Sequence, residues 1–500
     1  VVVILNQIRI ITFTNKIDYI KRLFVSQLSS ALFAVSMFIS CTSAGEKAGD
    51  TTASKDSITT HQVTIDEFKK GQVIDSIRCT SDGAQYFALY LPTNYSPNLN
   101  FPCIVLFDAH ARGVLPLNKY KDLAEKYGYI LLASDNSKNG LSPEVTGKYA
   151  AALLAEARTR FNTDPARVYT AGFSGGSRVA GDVAMKDGNV SGVIGCSAGF
   201  SGNGQGGSKF DYVGFAGEQD FNLLEMEALD QQLQAHGFVH QLFTFPGIHG
   251  WPPAENLEMA MLWLQVNAMK ARKQPKTDDV VDLLKSLYNK QITSAEKAKD
   301  IIAQEQLLSG MVSVLNSLSD VSSEEKKLAT LQQSAEYKKA IANEGALQQQ
   351  ELAGQQELAK EIAAHDDKWW ADKIASMKKE ISSSPVVVAR MKQRLLNYLG
   401  LVCYLYADGV IKQGDARSSG HYLNVFQMVD PANPDVSYLK AIQCMKLQDV
   451  QGTLIALNKA VDLAYNNVAD ILSEEMFAPL HSDPKFAAIV KRMNQNLSGK

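Results

Sequence analysis

The chain is short of the residues that mark metal sites, disulfide scaffolds and nucleic-acid binders. It has six cysteines in 500 residues, none in Cys-x-x-Cys spacing, so no zinc site is suggested. With Cys41 set aside, an odd number remains: Cys79, Cys103, Cys196, Cys403 and Cys444. Cys103 and Cys196 fall in predicted strands and Cys403 and Cys444 on predicted helices. They read as buried apolar thiols, with one disulfide possible in an oxidising compartment. Positive charge is not in surplus either: 50 Lys and Arg face 53 Asp and Glu, for a net charge of −3. No basic run is long, which leaves no electrostatic footprint for nucleic acid. Hydrophobic content of 45% allows large cores, and the length suggests two or more domains at roughly 100–200 residues each.

One apolar run stands out. Lys16, Lys21 and Arg22 precede Leu23 to Ile39, which ends at Ser40-Cys41. A charged start, an apolar stretch and a small residue before a cut predict an export signal. The alternative is a membrane-spanning anchor, but about seventeen residues with several serines fall short of the ~20 apolar ones a bilayer needs. Phe38-Ile39-Ser40-Cys41 resembles a bacterial lipoprotein signal, with Phe38 where Leu is usual. The resemblance implies that Cys41 is lipidated and becomes the mature N-terminus, on a membrane at the periplasm or cell surface. Residues 1–15, with no initial Met, read as upstream of the signal proper. Residues 42–60 are Ser, Thr, Gly, Lys and Asp with little apolar content, and read as a flexible tether.

From residue 61 to 273 strands and helices alternate. Val73–Cys79 and Gln85–Leu91 are predicted to form a hairpin across Ser81-Asp82-Gly83, and Cys103–Phe107 a fully buried strand. Helix 117–126, strand 129–133 and helix 149–161 follow, then a strand through Arg167-Val168-Tyr169-Thr170. Further strands are expected at 191–198, 212–216 and 241–245, and a helix at 254–271. The pattern predicts an α/β fold, a mostly parallel sheet with helices on both faces, whose ligands lie at the carboxyl ends of the strands.

At one such end stands Gly172-Phe173-Ser174-Gly175-Gly176, a Gly-x-Ser-x-Gly between strand and helix. There the serine sits in a sharp, strained turn and side chains two positions away would collide with neighbouring elements. Strand 212–216 runs into Gly217-Glu218-Gln219-Asp220, making Asp220 the candidate acid and Glu218 its rival. Strand 241–245 runs into Pro246-Gly247-Ile248-His249-Gly250-Trp251-Pro252, making His249 the candidate base, with His110 and His240 as other histidines. Ser174, Asp220, His249 is the chain order of a Ser-Asp-His triad on such a sheet. In it the histidine takes the serine proton and the aspartate holds the imidazole. Two backbone N–H groups should receive the developing oxyanion: that of Gly175 and one from Asp108-Ala109-His110-Ala111-Arg112-Gly113, where Ala109, His110 and Ala111 all qualify. Asn136 and Asn139, in the polar turn 135–140, are candidates for lining the cleft.

Arg167 to Ser174, preceded by Asn162-Thr163-Asp164-Pro165, resembles the corresponding turn of the polyhydroxybutyrate depolymerase and feruloyl esterase group of α/β-hydrolases. Gly247-Ile248-His249-Gly250-Trp251-Pro252 resembles that group's Gly-x-His-x-Trp-Pro loop. The resemblance covers residues 73–270, about two fifths of the chain. It implies a serine esterase outside the cytoplasm acting on carboxylic esters without a cofactor or metal, and adds Trp251 to the cleft candidates. The departure is Asp108-Ala109-His110, where the group has Leu-His-Gly.

Beyond Pro275 the composition turns to Ala, Glu, Gln, Lys and Leu. Capping-box patterns at Thr293-x-x-Glu296 and Ser322-x-x-Glu325 predict helix starts, the second opening a helix to about 364, with another after Trp369-Trp370. Residues 274–385 read as a helical spacer, and the long helix from Ser322, with its thin and irregular apolar stripe, as a solvated spacer or hairpin. In 386–500, Lys412-Gln413-Gly414-Asp415 aligns with Lys446-Leu447-Gln448-Asp449 at a period of 34, as do Ala407 with Ala441 and Leu423 with Leu457. Over 400–467 this resembles tetratricopeptide repeats, which implies either a docked protein partner or packing against the catalytic domain. The expected activity is ester hydrolysis of a small-molecule or polymer substrate. A peptidase with the same triad, or a degenerate hydrolase fold that only presents the repeats to a partner, are the alternatives.

Overall fold

The computed structural model of the protein describes residues 68–201 and 206–498. The signal-like stretch with Cys41 and the tether at 42–60 lie outside them. Eight strands form one sheet: β1 (Val73–Arg78), β2 (Tyr86–Tyr90), β3 (Phe101–Phe107), β4 (Ile130–Ser134), β5 (Thr163–Phe173), β6 (Gly192–Cys196), β7 (Asp211–Gly217) and β8 (His240–Phe245). Their order is β1-β2-β4-β3-β5-β6-β7-β8. β2 pairs antiparallel with both β1 and β4, and every pair from β4 through β8 is parallel.

Side-chain alternation divides the core. Cys103, Val105 and Phe107 of β3 pack on the face covered by α2 (Pro143–Arg160), α3 (Gly175–Asp187) and α4 (Leu223–Ala235). Ile104 and Leu106 pack on the face covered by α1 (Val114–Tyr127) and α5 (Ala254–Lys270). Both faces of the parallel strands are therefore buried, and β3 is apolar throughout. The carboxyl ends of β3, β5, β7 and β8 converge on one edge, and their loops carry the candidate site.

The helices that follow are not all spacer. α6 (Asp278–Ala298) buries Val281, Leu284, Tyr288 and Ile292, one stripe at helical spacing, in the core of the sheet's α1/α5 face. α7 (Ile301–Leu315) adds Leu308, Met311, Val314 and Leu315 to it. This part of 274–385 is therefore no mere spacer: its apolar stripe completes the sheet's own core. α8 (Ser322–Gln333) does bury no residue.

One of the two expected helix starts is displaced: Thr293-x-x-Glu296 lies inside α6. α8 does begin at Ser322, where Asp320 Oδ1 accepts from the Ser322 N–H at 3.0 Å in place of a capping box. The expected long helix is broken at Ser334, whose hydroxyl accepts from the Tyr337 N–H at 3.1 Å and starts α9 (Ala335–Glu361). Trp369 and Trp370 fall in the first turn of α10 (Asp367–Ser383), capped by Asp366.

α11 (Val386–Lys412), α12 (Ser419–Val429), α13 (Pro434–Lys446) and α14 (Val450–Asp462) pack as successive helices, followed by α15 (Val468–Ser473), a 3-10 turn (Glu475–Leu480) and α16 (Pro484–Ser498). Ala407 and Ala441 are both buried in the core of this region, as are Leu423 and Leu457. The five described cysteines are buried and form no disulfide. Among the described residues no helix is long and apolar enough to cross a membrane.

Candidate active site

β5 ends at Phe173 and α3 begins at Gly175, so Ser174 alone makes the turn. Its φ of 54° and ψ of −120° lie where a non-glycine residue is strained. The turn is tied down by the Ser174 N–H, which donates to the Cys196 carbonyl at 2.9 Å. The glycines on either side are required by close approach: a Cβ at Gly172 would strike the Gly176 carbonyl, and one at Gly176 would strike the Phe107 carbonyl of β3. The helix thus starts against the sheet, with the serine at its N-terminus.

The three predicted residues meet there. His249 Nε2 lies 3.0 Å from Ser174 Oγ, and His249 Nδ1 lies 2.9 Å from Asp220 Oδ1. Asp220 is fully buried, so at Nδ1 the ring donates to a carboxylate, which leaves Nε2 to accept the serine proton. The Asn222 N–H also donates to Asp220 Oδ1, at 2.9 Å. Glu218, the rival acid, is turned outward to Arg390 at 2.8 Å. His240 pairs with Asp230 at 2.7 Å, away from the serine. The ring of His249 is stacked by Phe221 at 4.2 Å and touched by Phe173 at 4.9 Å. Phe221 had no sequence signal beyond its place after the acid.

The loop after β3 is built on Asp108, almost wholly buried. Oδ1 accepts from Arg112 Nε at 2.8 Å and from the His110 N–H at 2.9 Å; Oδ2 accepts from Trp251 Nε1 at 2.8 Å and from Arg112 Nη2 at 3.1 Å. Burial works against its charge, but Arg112, Trp251 and the His110 amide outweigh that and hold the carboxyl below its ordinary value. The Ala111 N–H donates to the Asp108 carbonyl at 3.2 Å. Two of the three oxyanion candidates are thereby occupied. The Ala109 and Gly175 N–H groups have no partner among the described residues.

The cleft candidates separate. Asn139 lies beside the nucleophile turn, its amide oxygen where a Gly175 Cβ would be. Asn136 does not grip the cleft: its Oδ1 accepts from the Tyr86 N–H at 2.6 Å and anchors β2. Trp251 is corrected as well. It is buried in the core between Tyr120 and Phe173, and its indole ties the histidine loop to Asp108. No group of side chains able to hold a metal ion occurs among the described residues.

A Gly-x-Ser-x-Gly turn at the carboxyl edge of an eight-stranded, mostly parallel sheet, with acid and histidine following in that chain order, defines an α/β-hydrolase fold. The C-terminal helices are an addition to it. No protein-family profile matches the chain, and no curated protein matches it. Solved structures similar to it include an S-formylglutathione hydrolase from Staphylococcus aureus, 13% identical, covering 39% of this chain and 98% of that one at a TM-score of 0.33. Esterase 2 of Thermogutta terrifontis is 13% identical over 41% of this chain and 96% of its own, at 0.32. Esterase B of Lactobacillus rhamnosis is 16% identical over 40% and 88%, at 0.34. These likenesses are distant, and the fold is read from the strand order and the turn themselves.

Proposed function

We propose that the protein is a serine hydrolase that cleaves carboxylic esters through an acyl-enzyme. The observation that carries this reading is the continuous Ser174, His249, Asp220 hydrogen-bond chain ending on a strained turn, with N–H groups of Gly175 and Ala109 unoccupied beside it. Ser174 Oγ would bond to the substrate carbonyl carbon as its proton passes to His249 Nε2. The charge that moves to the carbonyl oxygen would be received by the two amides, and the imidazolium by Asp220. Collapse breaks the bond to the alcohol, which leaves with the proton from Nε2. Water then repeats the sequence on the acyl-enzyme, releasing the acid and restoring Ser174. Phe221 and Phe173 against the ring keep the imidazole in one plane.

The Gly-x-His-x-Trp-Pro loop supports esters as the substrate class and an enzyme of the polyhydroxybutyrate depolymerase and feruloyl esterase type. Export and attachment through a lipidated Cys41 are part of the same proposal and rest on the signal-like sequence. A fluorophosphonate probe tests the chemistry. It should label the wild type, fail on Ser174→Ala, and label His249→Ala far more slowly, with kcat on a short-chain nitrophenyl ester lowered by about 10⁴-fold or more. Absence of labelling in a folded wild type would overturn the reading. Faster turnover of peptides than of esters would make it a peptidase.

A further inference from the structure

We propose that Arg394 and Asn397, on the C-terminal helix α11, are positioning residues for the catalytic acid. They hold the outer side of the Glu218-Gln219-Asp220 loop and thereby set the hydrogen bond between Asp220 and His249. The proposal rests on the serine-hydrolase reading of that site.

The loop after β7 is gripped from two sides. On its inner side the Glu218 and Gln219 N–H groups donate to the carbonyls of Phe245 and Gly247, both at 2.9 Å, which ties the acid loop to the strand and loop that lead to His249. On its outer side the carbonyls of the same two residues face α11. Arg394 Nη1 donates to the Glu218 carbonyl at 2.8 Å, and Asn397 Nδ2 to the Gln219 carbonyl at 2.8 Å. Arg390, one turn earlier on the same face, reaches the Glu218 carboxylate at 2.8 Å. Positions 390, 394 and 397 thus form one stripe of donors laid along the two peptides that precede Asp220.

Each donor is itself held in direction. Arg394 is engaged by the buried Glu351 of α9 through Nε at 2.8 Å and Nη2 at 2.6 Å, which leaves Nη1 aimed at the loop. The Asn397 amide oxygen accepts from Gln393 Nε2 at 2.9 Å, which turns its NH2 group to Gln219. A buried ion pair contributes little net stability compared with an apolar contact of the same shape. Its geometric effect here is specific, because the guanidinium is fixed at the one angle that serves the Glu218 carbonyl.

The Asp220 backbone is tied locally, its N–H donating to the Gly217 carbonyl at 2.9 Å and its carbonyl accepting from the Leu223 N–H at 3.0 Å, but its carboxylate has few ties of its own. Asp220 Oδ1 has the His249 ring and the Asn222 N–H, while Oδ2 has no hydrogen-bond partner among the described residues. A carboxylate with so few ties takes its orientation from its backbone. The peptides leading into it lie between β8 and a helix whose Arg394 is 176 residues beyond Glu218.

The test uses the full chain, with active sites titrated by a fluorophosphonate and turnover followed on a short-chain nitrophenyl ester. Asn397→Leu keeps the volume and the helix but removes the donor. Its kcat per titrated site should fall about tenfold with KM changed less than twofold. Arg394→Met alone strands the buried Glu351 and can unfold the chain, so it is paired with Glu351→Leu. That double variant should lose more kcat than Asn397→Leu, again with KM held. If activity falls only in proportion to the sites that still titrate, α11 merely supports folding and the proposal is overturned. It is equally overturned if kcat per site is unchanged in both variants while the wild type titrates normally. A folded wild type that does not titrate at all overturns the hydrolase reading and this proposal with it.

Discussion

The two loops that flank Ser174 are held in opposite ways. The loop after β3 is braced from within, by a buried Asp108 that gathers donors from Arg112, His110 and Trp251. The loop after β7 is braced through its backbone, by the Glu218 and Gln219 N–H groups on the carbonyls of Phe245 and Gly247, and is held on its other side by Arg394 and Asn397 of a helix far along the chain. The difference teaches that the C-terminal helices reach the two loops unequally: two buried or half-buried donors of α11 meet the peptides before Asp220, while the other loop is held mainly by its own Asp108.

The strongest way to break this contrast is to remove the internal brace. Asp108→Leu places an apolar side chain of similar size there, but leaves the Trp251 N–H buried without an acceptor and frees the His110 amide. Stability should fall by about 3 kcal/mol or more, read by urea unfolding. kcat should fall about 100-fold through displacement of the Ala109 amide. The folded carboxyl is held below its ordinary value, so its contribution is present above the unfolded pKa and is lost as pH falls through the folded one. A variant with unchanged kcat would show that the brace does not set the oxyanion amides.

The docking of the helices on the acid side can be sharpened through Glu227. It lies on α4 and accepts from Gln348 of α9 at 3.0 Å. Burial first, then the charge of Glu344, push its carboxyl up to about 7 from an ordinary 4.5. Between those values the folded chain keeps a proton that the unfolded chain has released. This group therefore makes stability fall as pH rises from 4.5 to about 7, with no further change above. Glu227→Gln should flatten that slope and stabilise the protein at pH 8 by on the order of 1–3 kcal/mol in urea melts. An unaltered slope would mean that Glu227 is not enclosed by the docked helices.

What could be seen in the sequence follows the range of the interactions. The nucleophile turn was legible because its glycines answer to atoms a few residues away or on the adjacent strand. Asp220 and His249 were legible because strand ends in a parallel sheet must converge. Which loop amide stays unoccupied was not, because it depends on how Asp108 folds back onto His110 and Ala111. Trp251 reads from its motif as a cleft residue because the motif shows an aromatic beside the histidine but not the Asp108 that claims its N–H. The Ser/Thr-x-x-Glu pattern marks the start of α8 at Ser322, but it also suits a helix interior, which is where Thr293 lies. The Ser334 cap carries no such pattern. Nothing local marks Arg394 or Asn397, since their partners are peptide carbonyls in another part of the chain.

The smallest expected effect lies where the helical region touches the oxyanion side. Lys138, next to Asn139, pairs with Asp470 of α15 at 3.2 Å, and Asn467 donates to the His110 carbonyl at 3.1 Å. The lysine side chain is 39% exposed, so water and salt screen the pair and it contributes about 0–1 kcal/mol. If the oxyanion loop is braced from within, Lys138→Ala should change kcat less than twofold and stability by about 0.5 kcal/mol or less, with the difference fading in high salt. A loss of tenfold or more in kcat per titrated site would place both flanking loops under the control of the C-terminal helices. The contrast between them would then be gone: the same docking event would set the acid and the oxyanion amides together.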